Sequence, residues 1–281
     1  MADTARILAW ATDVHLDHLA RDRAERGAAI DPITAFVREL TADRPAGVLL
    51  TGDLSVAPRL RVDLEALLLR LDCPLYFTLG NHDYYYGDVG GVRALIDELC
   101  AEHEGLVYLP SAGVVELGAG VALIGVDGWG DARCGDWRGS SVRLSDFVLI
   151  EDLNRLYGDG LIQRLRRFGD AEAERARVLL DAALPAFERV VVATHVPPFE
   201  QACWHEGQLP GPDDEWSPWF VCAAVGEVLI EYAERFPAAQ IEVYCGHTHG
   251  AGVSQLRENL RVFTGAAEYG APRRSGTISI A

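Results

Sequence analysis

The sequence predicts an α/β protein, and three observations carry that expectation. Apolar runs of strand length recur along the chain, amphipathic segments with helical spacing stand between several of them, and five of the runs close on a short polar block rich in Asp, Asn and His. Strand and helix alternate through the first hundred residues, which predicts parallel pairing, because a parallel crossover needs a connection long enough to hold a helix. Later strands separated by turns such as Gly118 to Gly120 predict some antiparallel pairing as well.

The first strand is read over Ile7 to Ala11 and ends at Asp13-Val14-His15. Asp31-Pro32 is a helix start: an acidic side chain can accept from the first-turn N–H groups, and proline is tolerated where its missing N–H has no partner to lose. Ile33, Phe36, Val37 and Leu40 then fall on one face. Val48 to Leu50 is the second strand, ending at Gly52-Asp53, and Leu75 to Leu79 the third, ending at Gly80-Asn81-His82-Asp83. Val92, Leu95, Ile96 and Leu99 repeat the helical spacing, and Val121 to Val126 returns to strand. Residues from about 130 to 184 are charged and Arg-rich, with helical spacing at Leu149, Leu153 and Leu156 and again at Ala176, Leu179, Leu180 and Ala183, which predicts an inserted helical segment. Val190 to Ala193 ends at Thr194-His195. Residues 199 to 219, with Trp204, Trp216, Trp219 and several prolines, read as an irregular loop insertion, too long for a plain connection and of the kind that covers active sites. A helix with Val225, Val228, Leu229 and Tyr232 on one face follows, then strands at Ile241 to Tyr244, ending at Gly246-His247-Thr248-His249, and at Val262 to Phe263. No internal repeat or low-complexity tract interrupts the chain, and residues 1–281 are expected to form a single domain.

Composition bounds the function. With 281 residues, 49% of them apolar and 24% charged, the chain is long enough for a sizeable core. Its formal charge of −17 repels polyanions, so a sequence-independent grip on nucleic acid is disfavoured, whereas a small phosphorylated substrate fits if bound cations reverse the local sign. There is no lysine, which excludes both a phosphate-loop lysine and a Schiff-base lysine. The six cysteines form no Cys-x-x-Cys pair and read as reduced thiols, the N-terminal apolar stretch runs straight into Asp13, and no run has the length of a membrane span; the expected location is cytoplasmic, with no membrane partner.

The five polar blocks carry the chemistry. In sheets of parallel strands, ligand sites lie beyond the carboxyl ends of the strands, where residues far apart in sequence converge. Residues two apart in a strand share a side, so Asp13 and His15 are expected to face one ion together, as are His247 and His249. Asp53, at another strand end, can bridge two cations. A donor set of carboxylate oxygen, imidazole nitrogen and the Asn81 amide oxygen suits Mn, Fe, Zn or Co better than Mg alone. Two divalent ions roughly 3.5–4 Å apart would generate hydroxide at neutral pH and neutralise charge on a phosphoryl oxygen, which points to in-line displacement at phosphorus.

The ordered set Asp13-Val14-His15, Gly52-Asp53, Gly80-Asn81-His82-Asp83, Thr194-His195 and Gly246-His247-Thr248-His249 resembles the calcineurin-like metallophosphoesterase superfamily over residues from about 6 to 265. The resemblance implies a four-layer α-β-β-α sandwich of two mixed sheets flanked by helices. It places Asp13, His15, Asp53 and His249 on one ion and Asp53, Asn81, His195 and His247 on the other, with Asp53 as the bridge. It gives His82 the role of leaving-group proton donor or transition-state stabiliser, with Asp83 orienting its ring. The implied activity is phosphomonoester or phosphodiester hydrolysis by a metal-bridging hydroxide. The chain departs from the family's protein serine/threonine phosphatases, in which Asp-Arg-Gly follows the second block: here Leu54-Ser55-Val56 stands there, which argues against a phosphoprotein substrate. Ala193-Thr194 precedes His195 where many relatives have Gly.

Residues outside the blocks have plainer readings. Cys245 is expected to be a buried thiol. His18 and His205 read as exposed loop histidines with substrate contact as the alternative, and His103 has no motif context. Tyr84, Tyr85 and Tyr86 are candidates for a pocket wall, Trp129, Trp204, Trp216 and Trp219 for stacking on a base or anchoring loops, and Arg133, Arg138, Arg273 and Arg274 for a phosphate clamp. Two other functions are compatible with the same fold: a non-catalytic scaffold, and a nuclease that would need a basic groove.

Overall fold

The computed structural model describes residues 6–19, 31–211 and 214–280. Residues 212 and 213 of the irregular loop lie outside the described residues. Among the described residues eleven strands form two sheets. The first contains β1 (Ile7–Ala11), β2 (Gly47–Thr51), β3 (Leu75–Thr78), β4 (Leu106–Tyr108) and β11 (Gly276–Ser279), in the order β11-β1-β2-β3-β4. The second contains β5 (Val115–Gly118), β6 (Val121–Gly125), β7 (Arg189–Ala193), β8 (Gln240–Cys245), β9 (Gly252–Arg257) and β10 (Leu260–Thr264), in the order β5-β6-β7-β8-β10-β9. Within the first sheet β1 to β4 run parallel, and β11 closes the edge antiparallel to β1. In the second sheet β6, β7, β8 and β10 run parallel, flanked by antiparallel β5 and β9.

Side-chain alternation explains why the sheets stack. Leu8 and Trp10 of β1, Leu49 of β2, Leu123 of β6, Val191 of β7 and Tyr244 of β8 form one buried layer between the sheets. Their sequence neighbours point outward and are covered by helices, so the central strands are apolar on both faces, as parallel strands covered on both faces must be. Ala9, Ala11, Val48 and Leu50 pack in the same cluster as Phe36, Val37, Leu40, Val92, Ile96 and Leu99 of helices α1 (Pro32–Leu40) and α3 (Val89–Glu102). Helix α2 (Leu60–Leu68) joins that layer. On the second sheet Ile124, Val192 and Val243 pack against Leu180 of α4 (Gly158–Ala183) and Val225 and Leu229 of α5 (Ala223–Arg235). The result is the four-layer α-β-β-α sandwich of two mixed sheets.

Local signals behave as their chemistry dictates. Asp31 caps α1 by accepting from the Thr34 N–H at 3.2 Å, with Pro32 in the first turn. Between Val126 and Tyr157 most of the backbone is irregular, with one short helix at Asp146–Leu149, so the helical spacing at Leu149, Leu153 and Leu156 overstates the helix there. Ile150 and Leu153 are buried nonetheless, because the turn that follows tucks them into the core. Strands β4, β5 and β11 give no strong sequence pattern because they are short, and β9 gives none because, like β11, it is largely exposed at a sheet edge. Among the described residues no helix is long and apolar enough to cross a membrane, and all six cysteines are free.

Candidate metal centre

All five polar blocks meet at the carboxyl end of the two sheets. The chain leaving β1 runs beside the chain leaving β2: the Asp13 N–H donates to Gly52 O at 3.1 Å and the His15 N–H to Asp53 O at 2.9 Å. The His195 N–H donates to Asp127 O at 2.8 Å, and His195 O accepts from the Gly246 N–H at 2.9 Å, which ties the ends of β6, β7 and β8 together.

The pairwise alternation expected of Asp13/His15 and His247/His249 needs correction. None of these four residues is in a strand. Asp13, His15, Asp53, His247 and His249 all have left-handed backbones, with φ of 49°, 41°, 52°, 68° and 57°. Each such residue costs of order 1–3 kcal/mol and persists only where its surroundings enforce it, and such strain clusters at functional sites. Side chains converge because the backbone turns over after each strand, not because it stays extended.

The resulting cluster is tight. His195 Nε2 lies 3.1 Å from Asn81 Oδ1, 3.2 Å from His247 Nδ1 and 3.3 Å from Asp53 Oδ1, and His247 Nδ1 lies 3.0 Å from Asn81 Oδ1. Beside it, His249 Nε2 stands 3.3 Å from Asp13 Oδ1, and His15 Nε2 stands 3.7 Å from Asp53 Oδ2. Donor atoms of Asp13, His15 and His249 lie within 4.8 Å of one another, as do those of Asp13, Asp53 and His195, and of His15, Asp53 and His82.

Two features show that these residues fit cations. Both ring nitrogens of His15 are buried with no hydrogen-bond partner, although a buried polar atom normally has one. His195 Nδ1 lies 2.9 Å from Thr51 O, which can only accept; Nδ1 therefore carries the proton, and in the neutral ring Nε2 presents a lone pair. Asn81 Nδ2 donates to Asp146 Oδ1 at 2.8 Å, which turns Oδ1 inward. Lone pairs of a ring nitrogen and an amide oxygen 3.1 Å apart repel unless something positive stands between them.

Protonation follows the same logic. Burial lowers His15 and His247 to about 3, leaving both as neutral lone-pair donors. Burial also opposes charge on His195, but the Asp53 and Asp13 carboxylates outweigh it and raise the ring to about 10, so without a cation a proton on Nε2 supplies the positive charge between these acceptors, and a bound cation would replace it. Burial works to raise Asp13 and Asp53, yet the surrounding histidines hold both below the usual carboxylate range, Asp53 well below.

Asp83 does not do what the sequence suggests. Its carboxylate accepts from the Leu54 and Ser55 N–H groups at 2.9 and 2.8 Å and from the Gly80 N–H at 2.8 Å, so it staples two loops together and does not bond the His82 ring. His82 is instead held by its own N–H, which donates to Asp53 Oδ1 at 2.9 Å, and by its ring, which stacks on Tyr85 with centroids 4.2 Å apart. Its Nε2 stands 3.9 Å from Asp53 Oδ2 and opens onto a cleft of about 310 Å³.

Close packing explains the glycines in the blocks. A Cβ on Gly80 would come within 2.2 Å of Asp53 Oδ1 and 2.7 Å of His195 Nε2. Gly52 has φ of 84°, and a Cβ there would meet the His195 ring at 2.6 Å.

Four residues at or behind the site have no part in the five blocks. Asp146 is buried, lines the cleft and accepts from both Asn81 Nδ2 and the Tyr85 hydroxyl, the latter at 2.7 Å. Tyr269 lies over the site, with centroids 4.5 Å from His15 and 5.0 Å from His249. Arg143 lines the cleft. Asp127 accepts from the Leu79 N–H at 2.8 Å, from Tyr84 and Tyr108 at 2.8 and 2.6 Å, and from Arg93 at 2.7 Å, while Arg93 also bonds Glu172. This buried network fixes the end of β3, from which Gly80 and Asn81 emerge. Asp127-Gly128 closes the apolar run of β6 just as the five blocks close theirs, so the same signal marks it; Asp146, Arg143 and Tyr269 follow no strand and carry no such signal.

The remaining candidates separate cleanly. Tyr85 and Trp216 line the cleft, whereas Tyr84 is buried and Tyr86 is exposed. Trp129 and Trp219 are core residues, and Trp204 bonds Ser254 and packs over Gly252. His18 pairs with Asp17 and packs against Tyr269, His205 packs on Trp216 and Phe220, and His103 lies near Glu65 on the surface. Cys245 is a buried thiol facing the helices. All four arginines proposed as clamps are in ion pairs: Arg133 with Asp131 and Asp170, Arg138 with Asp159, Arg273 with Glu39 and Arg274 with Asp43.

Comparison with known proteins places this geometry. The family model for calcineurin-like phosphoesterases matches residues 8–251. Among solved structures, a phosphopantetheinyl hydrolase from Mycobacterium tuberculosis is similar, with a TM-score of 0.61 at 15% identity over 95% of this chain and 90% of that one. A dimetal phosphatase from Danio rerio is also similar, with a TM-score of 0.56 at 14% identity over 94% of this chain and 88% of that one. No curated protein sequence matches the chain.

Proposed function

We propose, from the premise that this chain belongs to the calcineurin-like phosphoesterase family, that it is a dinuclear metal-dependent phosphohydrolase acting on a small phosphorylated molecule. The observation that carries the reading is the inward convergence of lone pairs from Asp53, Asn81, His195 and His247 beside a second group of Asp13, His15 and His249 whose buried imidazole has no other partner. In this reading Asp13, His15, Asp53 and His249 hold one divalent ion and Asp53, Asn81, His195 and His247 the other, with Asp53 shared. Nitrogen and oxygen donors without thiolate suit Mn, Fe, Zn or Co. Bound there, the ions supply an activated water and neutralise charge on the phosphoryl group.

The chain's own residues do the rest. The Thr51 carbonyl fixes the His195 tautomer, and Asp146 fixes which end of the Asn81 amide faces inward. His82, free of any ring hydrogen bond to Asp83 and facing the cleft, hands a proton to the departing alkoxide. Asp83 acts at one remove by holding the Gly80 and Leu54 backbones, and so the loops that carry His82 and Asp53, in register. The ion pairs of Arg133, Arg138 and Arg164 neutralise part of the positive charge of the 130–184 segment, which together with the net charge of −17 supports a small substrate over nucleic acid.

The test is turnover of p-nitrophenyl phosphate and bis-p-nitrophenyl phosphate by protein loaded with Mn. Hydrolysis of either is expected; inactivity across a broad phosphate panel, with metal shown to be bound, would leave only a scaffold. Asp146→Ala should weaken cation binding by about 10- to 100-fold, since it frees the Asn81 amide to rotate. A chelator competition that returned unchanged affinity would remove Asp146 from this role.

A further inference from the structure

The two segments that interrupt the strand–helix rhythm are joined to each other. Ser140 Oγ donates to Glu215 O at 2.8 Å and accepts from Trp219 Nε1 at 3.0 Å, and the Ser141 N–H and hydroxyl both bond the Glu215 carboxylate, at 2.9 and 3.1 Å. Together they build one wall of the cleft from Val142, Arg143 and Leu144 on one segment and Trp216 and Phe220 on the other. Trp216 and Phe220 pack with centroids 5.0 Å apart, and Phe220 packs on the His247 ring at 4.6 Å, so the wall reaches the candidate metal centre itself.

Arg143 stands apart from the other arginines. It is the sole Lys or Arg lining the cleft among the described residues, and the chain has no lysine to share the task. Its Nη1 donates to the Ser140 and Val142 carbonyls at 3.2 and 2.7 Å, which aims the guanidinium without neutralising it, and no carboxylate among the described residues pairs with it.

Resting on the phosphohydrolase reading, we propose that this wall is the leaving-group subsite and that Arg143 selects substrates whose leaving group carries a second anionic group, a carboxylate or a further phosphate. Position favours a second anion over the phosphoryl group itself: Arg143 is bonded only to its own segment and is carried by the wall, whereas the phosphoryl group would sit on the ions held by Asp13, Asp53 and the histidines. The guanidinium is then available for a different group, which it can grip with Nε and Nη2 as a bidentate fork.

The experiment compares ω-carboxyalkyl phosphonates of increasing chain length with their uncharged alkyl counterparts, binding to metal-loaded wild-type protein and to Arg143→Ala by calorimetry. Turnover of the corresponding phosphate esters is measured in parallel. The best-fitting carboxylate is expected to bind about tenfold more tightly than its uncharged counterpart in the wild type, with the preference falling below about twofold in Arg143→Ala and partly restored in Arg143→Lys. Alkyl phosphonate affinity should be unchanged in all three. Equal affinity for charged and uncharged ligands in the wild type at every chain length, or an equal loss for both in Arg143→Ala, would overturn the assignment. Discrimination in binding without hydrolysis of any ester would uphold the subsite and sink the phosphohydrolase reading instead.

Discussion

Asp53→Asn is expected to empty or cripple both cation positions and to lower phosphoesterase activity by about 10³-fold or more, equivalent to about 4 kcal/mol in the barrier. Asp53 faces both halves of the cluster with its two oxygens: Oδ1 lies 3.3 Å from His195 Nε2, and Oδ2 lies 3.7 Å from His15 Nε2. The asparagine is a fair probe because its carbonyl oxygen can still accept the His82 N–H that Asp53 Oδ1 accepts now, so the loop geometry has a way to survive the change. What disappears is the charge and one of the two acceptors. Elemental analysis of reloaded protein should show less than one ion per chain, with a circular dichroism spectrum like the wild type. Full occupancy of both ions in Asp53→Asn would show that Asp53 is not the bridge.

His82→Ala should behave in the opposite way: ions retained, turnover reduced by about 10²- to 10⁴-fold, the range expected for loss of a general acid. The side chain faces the cleft and stacks on Tyr85, and the structural bond at this position is made by the backbone N–H, which alanine keeps. The reduction should be smaller for p-nitrophenyl phosphate, whose leaving group needs little protonation, than for an alkyl phosphate. His82 also stands within the group of His15 and Asp53 whose donor atoms lie inside 4.8 Å, so metal analysis is the decisive readout. Loss of an ion in His82→Ala would make it a ligand and leave the proton donor to be found elsewhere.

These two variants rest on residues that could be read directly from the chain. Asp53 and His82 each sit within a few residues of the end of an apolar run, whereas the need for glycine at position 80, where a Cβ would collide with Asp53 and His195, shows only in the structure. Reading Asp13 and His15 as strand neighbours failed for a local reason. Left-handed φ angles at non-glycine residues run against their intrinsic preference, and nothing in the order Asp-Val-His reveals that the neighbouring β2 loop enforces them through the Asp13 and His15 N–H groups. Asp83 was misplaced in the same way, because adjacency to His82 in sequence says nothing about three N–H donors arriving from Leu54, Ser55 and Gly80.

By itself the sequence determined the α/β class, the central strands and four of the helices, because apolar periodicity is a property of consecutive residues. It also determined which side chains crowd the strand ends, because a polar block after a buried strand has few other places to be. Only the tertiary structure decided that Asp146 turns the Asn81 amide, that Tyr269 lies over His15, and that Arg143, rather than the arginines at 133, 138, 273 and 274, stands in the cleft. Those roles depend on contacts between segments distant along the chain, between a rim residue and whichever carboxylate or amide folding brings beside it, and no local pattern encodes such a meeting.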